Sequence, residues 1–353
     1  MPARRIRRRS LAAIAAALAA VLVAPATGAA TSAKPIAAYI ANNGSIVVAS
    51  TAGAGERLPP LATFSIDSGV VVGVGASGLE AYDAKTGDEL WDGVPNVHQP
   101  IVTDSGRRVL FWPDPGGVRD PQVNSLWMRG RNEKVRKVVQ FSNGPGLPGY
   151  DSGFDGDGGL LSTSIDNSGN TIVLGQGNDV DLFIYDVFAV DRATKQVTRL
   201  TSGKESRWPS ISPNGELVVY QRDEEVCAGL AYVRAAKLMV VKPNATQRHL
   251  LAAGTCDAWY SNARWINNHE IVVYKTTYDG ADFKTRIFKI DVLTGHKEKL
   301  VNASDIVFFS AARGRVGYVR DSKAGWYLLD VDSGTKIHFK GFIPHLAGDH
   351  NTI

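Results

Sequence analysis

From residue 61 onward the chain is a succession of short runs rich in β-branched and aromatic residues, set apart by turn residues and without helical periodicity. The runs come in groups of four. An aspartate at the turn between the third and fourth runs marks the repeat at Asp83, Asp191, Asp291 and Asp330, with Arg129 and Lys242 in the equivalent places of two groups, so successive groups lie 39 to 62 residues apart. A four-strand unit of this period cannot cover both faces of its own sheet and must stack between neighbours, as a propeller blade does. Six groups account for residues 61–342, and the expected fold is all-β: a six-bladed β-propeller of four-stranded antiparallel blades. Residues 31–60 hold two extra runs around the turn Asn42-Asn43-Gly44. They either complete the pairing of the last blade or belong to a seventh, because a closed ring leaves no exposed strand edge. Residues 343–353 are read as a C-terminal tail.

Residues 1–30 differ in kind. Arg4, Arg5, Arg7, Arg8 and Arg9 precede an apolar stretch, residues 11–24, that is too short to span a bilayer, and small residues follow at 26–30. This is the layout of an export signal peptide. Arg8-Arg9-Ser10-Leu11-Ala12 also fits a loose twin-arginine pattern, so the general secretory and twin-arginine routes both stay open. No cysteine follows the apolar stretch, and the protein is expected to be exported, extracellular or in the cell envelope, without a lipid anchor or a transmembrane span. Removing the five signal arginines takes the formal charge from +4 to −1. A near-neutral body has no general attraction for a phosphate backbone, so nucleic acid is not an expected partner, and a monomer is expected.

The stretch Trp208-Pro209-Ser210-Ile211-Ser212-Pro213-Asn214-Gly215-Glu216-Leu217-Val218-Val219-Tyr220 resembles the repeat of TolB-like, WD40-like propellers of exported bacterial proteins. There an inner strand ends at a Ser-Pro-Asp/Asn-Gly turn and returns as an apolar strand. Asp166-Asn167-Ser168-Gly169 and Asn267-Asn268-His269 are similar to eroded copies, and residues 77–91 resemble a quinoprotein-type repeat. The resemblance implies a scaffold that hosts enzymes, ligand binders and docking platforms alike.

Gly73-Val74-Gly75-Ala76-Ser77-Gly78 matches G-x-G-x-x-G, but no helix follows it, so it reads as a blade hairpin and not as a dinucleotide site. Neither a Walker loop, H-E-x-x-H nor G-x-S-x-G occurs. First-strand positions available to a central channel include Asp104, Asp166, Arg207, Asn262, Arg264 and Asp305, a set too mixed to define a reaction.

Strand alternation sorts the loops. Second-to-third loops and blade-to-blade connections leave from one face, and Cys227 and Cys256, the two cysteines, fall in one of each at neighbouring positions. A disulfide is expected. The long loops at 113–124, 142–159, 175–181, 222–235 and 276–284 leave from this same face, where binding on a rigid scaffold is usually placed. The candidate binding residues there are Tyr150, Asp179, Asp181, Asp223, Glu224, Glu225, Tyr278, Asp279 and Asp282. Asp151, Asp155 and Asp157 could converge on calcium, although the EF-hand spacing fails and the six glycines of 146–159 oppose ordering; no other cofactor is implied. The expected function is non-catalytic binding of a protein partner, a carbohydrate or a small molecule through the long-loop face. The alternative is a propeller-fold polysaccharide lyase or glycoside hydrolase of the envelope.

Overall fold

A computed structural model describes residues 34–95, 97–104, 106–113, 125–131, 133–140, 160–177, 185–202, 205–227, 234–280, 282–303, 305–321 and 323–351. The segment read as an export signal lies outside the described residues. Among the described residues no helix is long and apolar enough to cross a membrane.

The hairpins explain the aspartate that marks the repeat. Asp83 Oδ1 accepts the N–H groups of Lys85 (2.8 Å) and Thr86 (3.0 Å). Asp191 does the same for Thr194 (2.8 Å), Asp291 for Thr294 (2.7 Å) and Asp330 for Ser333 (3.0 Å). A short carboxylate thus satisfies the turn's own donors, and those backbone bonds hold Asp191, Asp291 and Asp330 below the usual carboxylate range. Three turns then return through a glycine at positive φ, at Gly87, Gly295 and Gly334; Lys195 takes the left-handed place in the fourth. At the Ser-Pro-Asn-Gly turn, Ser212 Oγ accepts from the N–H groups of Glu216 (3.1 Å) and Leu217 (3.0 Å). The G-x-G-x-x-G segment is a blade hairpin, with Val70–Gly75 paired antiparallel to Gly78–Asp83.

These hairpins build seven four-stranded antiparallel sheets, not six. Blades 2 to 7 are contiguous in sequence, spanning residues 64–94, 97–140, 160–199, 206–252, 258–301 and 306–339, with the first strand of each innermost. Blade 1 is divided between the ends of the chain. Its outer strands are Ala37–Ile40, Ile46–Ser50 and Gly53–Leu58, and its innermost strand is Phe342–Leu346. The expectation of six fails for two physical reasons. Gly53–Leu58 is the outermost strand and mostly exposed, so it carries no apolar signature, and the innermost strand of the same blade, Phe342–Leu346, lies nearly three hundred residues away in what reads as a tail.

Seven apolar clusters, each shared by two adjacent blades, join the sheets into a closed ring. Ile101, Leu110 and Met128 of blade 3 meet Ile172, Leu174 and Phe188 of blade 4, for example. Blade 7 meets blade 1 through Trp326, which stacks on Phe339 at 4.4 Å and lies 5.4 Å from Tyr39. Closure is therefore made by side chains from opposite ends of the chain.

Candidate functional site: the central channel

The innermost strands surround a channel whose two ends differ in chemistry. After Leu346 the chain continues across the end where first-to-second turns emerge. Gly348 N donates to Ile66 O of blade 2 (3.3 Å), Ile165 N of blade 4 donates to His350 O (3.1 Å), and Ser164 pairs with Asn351. Residues 347–351 thus form a strap over the tight-turn end of the channel.

Side chains fix the strap to further blades. Asp349 Oδ2 accepts from Ser310 Oγ (2.6 Å) and Ala311 N (3.3 Å) of blade 7, while Asp349 Oδ1 lies 3.7 Å from Arg264 Nε of blade 6. Asp67 of blade 2 pairs with Arg313 and lies 3.4 Å from His350 Nε2. Asp67, Arg264, Asp349 and His350 are all buried. Burial pushes the Asp67 carboxyl up, but His350 and Arg313 outweigh it and hold the group below its ordinary range. Burial likewise pushes Arg264 down against the opposing charge of Asp349.

His345, on the innermost strand of blade 1, is half-buried and packs at 4.5 Å on Phe64 and 6.3 Å from Phe308. Burial pushes its pKa down to about 4, with Asp349 opposing and Arg264 reinforcing the shift. The ring is therefore neutral at pH 7. Tyr274 lies in the same charged region, its hydroxyl pushed up by burial against the charge of Arg264.

The long-loop end has the opposite character. Three innermost strands expose large apolar side chains there: Trp208 (37%), Val307 (57%), Phe342 (48%) and Ile343 (42%). Pairing with the second strand slips at a bulge in each of these, between Arg207 and Ser210, between Ile306 and Phe308, and opposite residues 38–40. The backbone passes through left-handed conformations at Trp208 (φ 50°), Asn262 (φ 54°) and Ile343 (φ 48°). For a β-branched residue such as isoleucine this conformation is strained, and bulges of this kind re-aim a side chain. Arg207 lies over the Trp208 ring at 4.2 Å and pairs with Asp223 at 3.0 Å.

Around the mouth, the expected disulfide forms between Cys227 and Cys256, with the Cα atoms 5.4 Å apart. It joins the second-to-third loop of blade 5 to the connection into blade 6. Among the described residues, three of the candidate acids are occupied: Asp223, Glu224 and Asp279. Asp223 is buried, with Gln221 Nε2 donating to it at 2.6 Å, so it supports Arg207 and does not present a free carboxylate. Glu224 pairs with Lys237 (2.9 Å), Asp279 pairs with Lys284, and Asp282 N donates to Asp279 Oδ1 at 3.0 Å. Tyr278 packs at 4.9 Å on Phe283, which lies 5.9 Å from Trp259, so these loop aromatics pack on one another. Tyr150, Asp151, Asp155, Asp157, Asp179 and Asp181 lie outside the described residues, as does the side chain of Glu225.

Of the channel positions read from sequence, Arg264 reaches the charged end. Arg207 lies at the mouth over Trp208, and three others serve local structure: Asp166 accepts from Asn170 N (2.8 Å), Asp104 holds Arg108 (2.7 Å) and Asp305 holds Arg320 (2.8 Å). His345, Asp349 and His350 were missed because they follow the last full repeat. A usable signal was the ending Leu346-Ala347-Gly348-Asp349, an apolar strand running into an aspartate as Ile66-Asp67 and Ile165-Asp166 do.

No family model and no curated protein matches the chain. Solved structures share the fold at low identity. Tricorn protease superposes with a TM-score of 0.63 at 12% identity over 90% of this chain and 34% of its own, so the present chain spans about a third of that protein. Oligogalacturonate lyase in complex with manganese gives a TM-score of 0.59 at 12% identity over 89% of this chain and 86% of its own. TolB from Acinetobacter baumannii gives 0.49 at 13% identity over 89% and 66%. Among the described residues here, no three His, Cys, Asp or Glu side chains gather as metal ligands. What tricorn protease and the lyase share with this chain is the β-propeller.

Proposed function

We propose that the protein is an exported binding propeller that takes a protein segment, carbohydrate or small molecule at the long-loop end of its channel. The observation that carries this reading is the exposure of Trp208, Val307, Phe342 and Ile343 on rigid innermost strands, opposite an end strapped over by the chain itself. Strained, exposed apolar residues on a stiff scaffold cost stability and are retained where they contact something else. The disulfide fits an oxidising compartment and therefore export.

The test is a binding screen of residues 31–353 against glycans, peptides and envelope extracts, repeated with Trp208→Ala combined with Phe342→Ser. Binding that disappears in the double variant at unchanged melting temperature supports the reading. Ligands that bind both forms equally would move the site away from the channel mouth. Release of shortened products from an acidic polysaccharide in the same screen would replace binding by the lyase or hydrolase reading.

A further inference from the structure

Net charge hides an asymmetry on the tight-turn face. Blade 3 brings its first-to-second turn against its third-to-fourth hairpin, with Arg131 N donating to Arg107 O at 3.1 Å. Together these turns carry Arg107, Arg108, Arg131, Lys134 and Arg136 against Asp104 and Glu133. Both carboxylates are already shared. Asp104 holds Arg107 (3.0 Å) and Arg108 (2.7 Å), and Glu133 holds Arg108 (3.3 Å) and Arg136 (3.1 Å).

Arg192 of blade 4 completes the group. Its guanidinium donates to Gly169 O (2.7 Å) and Asn170 Oδ1 (2.6 Å), while burial, then the charges of Arg108 and Arg136, push it below the ordinary arginine range. Its neighbour Asp191 is engaged by Thr194 N at 2.8 Å. Six cations therefore stand against three carboxylates that already have partners, on a body whose formal charge is near zero. The side chains of Arg107 and Arg136 are 76% and 51% exposed, and Val135, between Lys134 and Arg136 in sequence, is 39% exposed.

We propose that this rim of the tight-turn face is a docking surface for an anionic phospholipid membrane. Guanidinium groups match phosphate oxygens in pairs, and basic side chains near an anionic leaflet add their attractions. The exposed Val135 supplies a small apolar contact at the headgroup boundary, which a soluble polyanion does not need. Docking here also leaves the channel mouth facing away from the membrane, because the strap lies on the docked side.

The test is co-sedimentation of residues 31–353 with phosphatidylcholine vesicles, with and without phosphatidylglycerol, at about 50 mM and about 500 mM salt. Binding is expected to require the anionic lipid and to fall at the higher salt. Arg107→Gln, Arg131→Gln and Arg136→Gln together should weaken it by at least about tenfold, by the usual contribution of each juxtamembrane cation, at unchanged melting temperature. Trp208→Ala should leave it unaltered, which separates this result from the test of the channel mouth. Equal binding to neutral vesicles, binding that survives the triple variant, or capture by heparin without capture by vesicles would each overturn the proposal.

Discussion

The two ends of the channel are made from the same innermost strands and use them in opposite ways. At the strapped end, polar and charged groups are matched across blades: Asp67 lies against Arg313 and His350, and Asp349 against Ser310 and Arg264. At the mouth, Trp208, Val307, Phe342 and Ile343 stay exposed, and Trp208 and Ile343 hold left-handed backbone. One end concentrates stability and the other gives some up. A rigid ring can do both because each strand is held along its length by neighbouring blades, so local strain at one tip does not spread.

The sharpest way to break this comparison is to remove the strap's carboxylate. Asp349→Ala takes from buried Arg264 the carboxylate 3.7 Å away and from Ser310 the acceptor of its hydroxyl. Breaking a buried pair in this way costs about 3–5 kcal/mol, to be read from urea unfolding at pH 7. A loss below about 1 kcal/mol would show that the strap contributes little and that the two ends are energetically alike.

Acid should weaken the strapped end next. His345 has a folded pKa of about 4. Its unfolded value is about 6.5, so the unfolded chain binds the extra proton first as pH falls. The contribution is fully present above about pH 6.5, declines on the way down, and is lost once the folded pKa is passed. Between pH 7 and pH 5 the expected loss is about 2 kcal/mol. His345→Phe should flatten stability over that interval, measured from urea midpoints at the two pH values. An undiminished slope in the variant would assign the acid sensitivity to other groups.

The smallest expected effect lies at the mouth. Ile343→Gly removes a β-branched side chain from left-handed backbone while giving up a group already 42% exposed. Relief of the backbone conformation should stabilise the fold by up to about 1 kcal/mol, seen as a higher melting temperature, while ligand binding at the mouth falls. A destabilised variant would mean that Ile343 acts as core, and would erase the contrast between the ends.

Charge teaches a related lesson. A formal value of −1 with residues 1–30 set aside pointed away from phosphate-rich partners, yet blade 3 gathers arginines from two turns, with Arg107 and Arg131 24 residues apart in sequence. A total has no positions in it. Only the pairing of Arg108–Pro113 with Ser125–Gly130 brings residues 107 and 131 together.

What sequence determined here was local. Strand periodicity gave an all-β chain of four-stranded units because alternation and turn chemistry act within a hairpin, and the markers Asp83, Asp191, Asp291 and Asp330 are hydrogen-bonded to donors two or three residues away. The pairing of Cys227 with Cys256 was legible for the same reason, since strand direction alone put both on one face. What only tertiary structure decided was ring closure and the channel. Phe342–Leu346 becomes a strand only by pairing with Ala37–Ile40 from the other end of the chain, and Asp349 and His350 acquire partners only when blades 2, 6 and 7 stand around the axis. Such contacts leave no period in the sequence, because they are set by where the ring closes and not by neighbours along the chain.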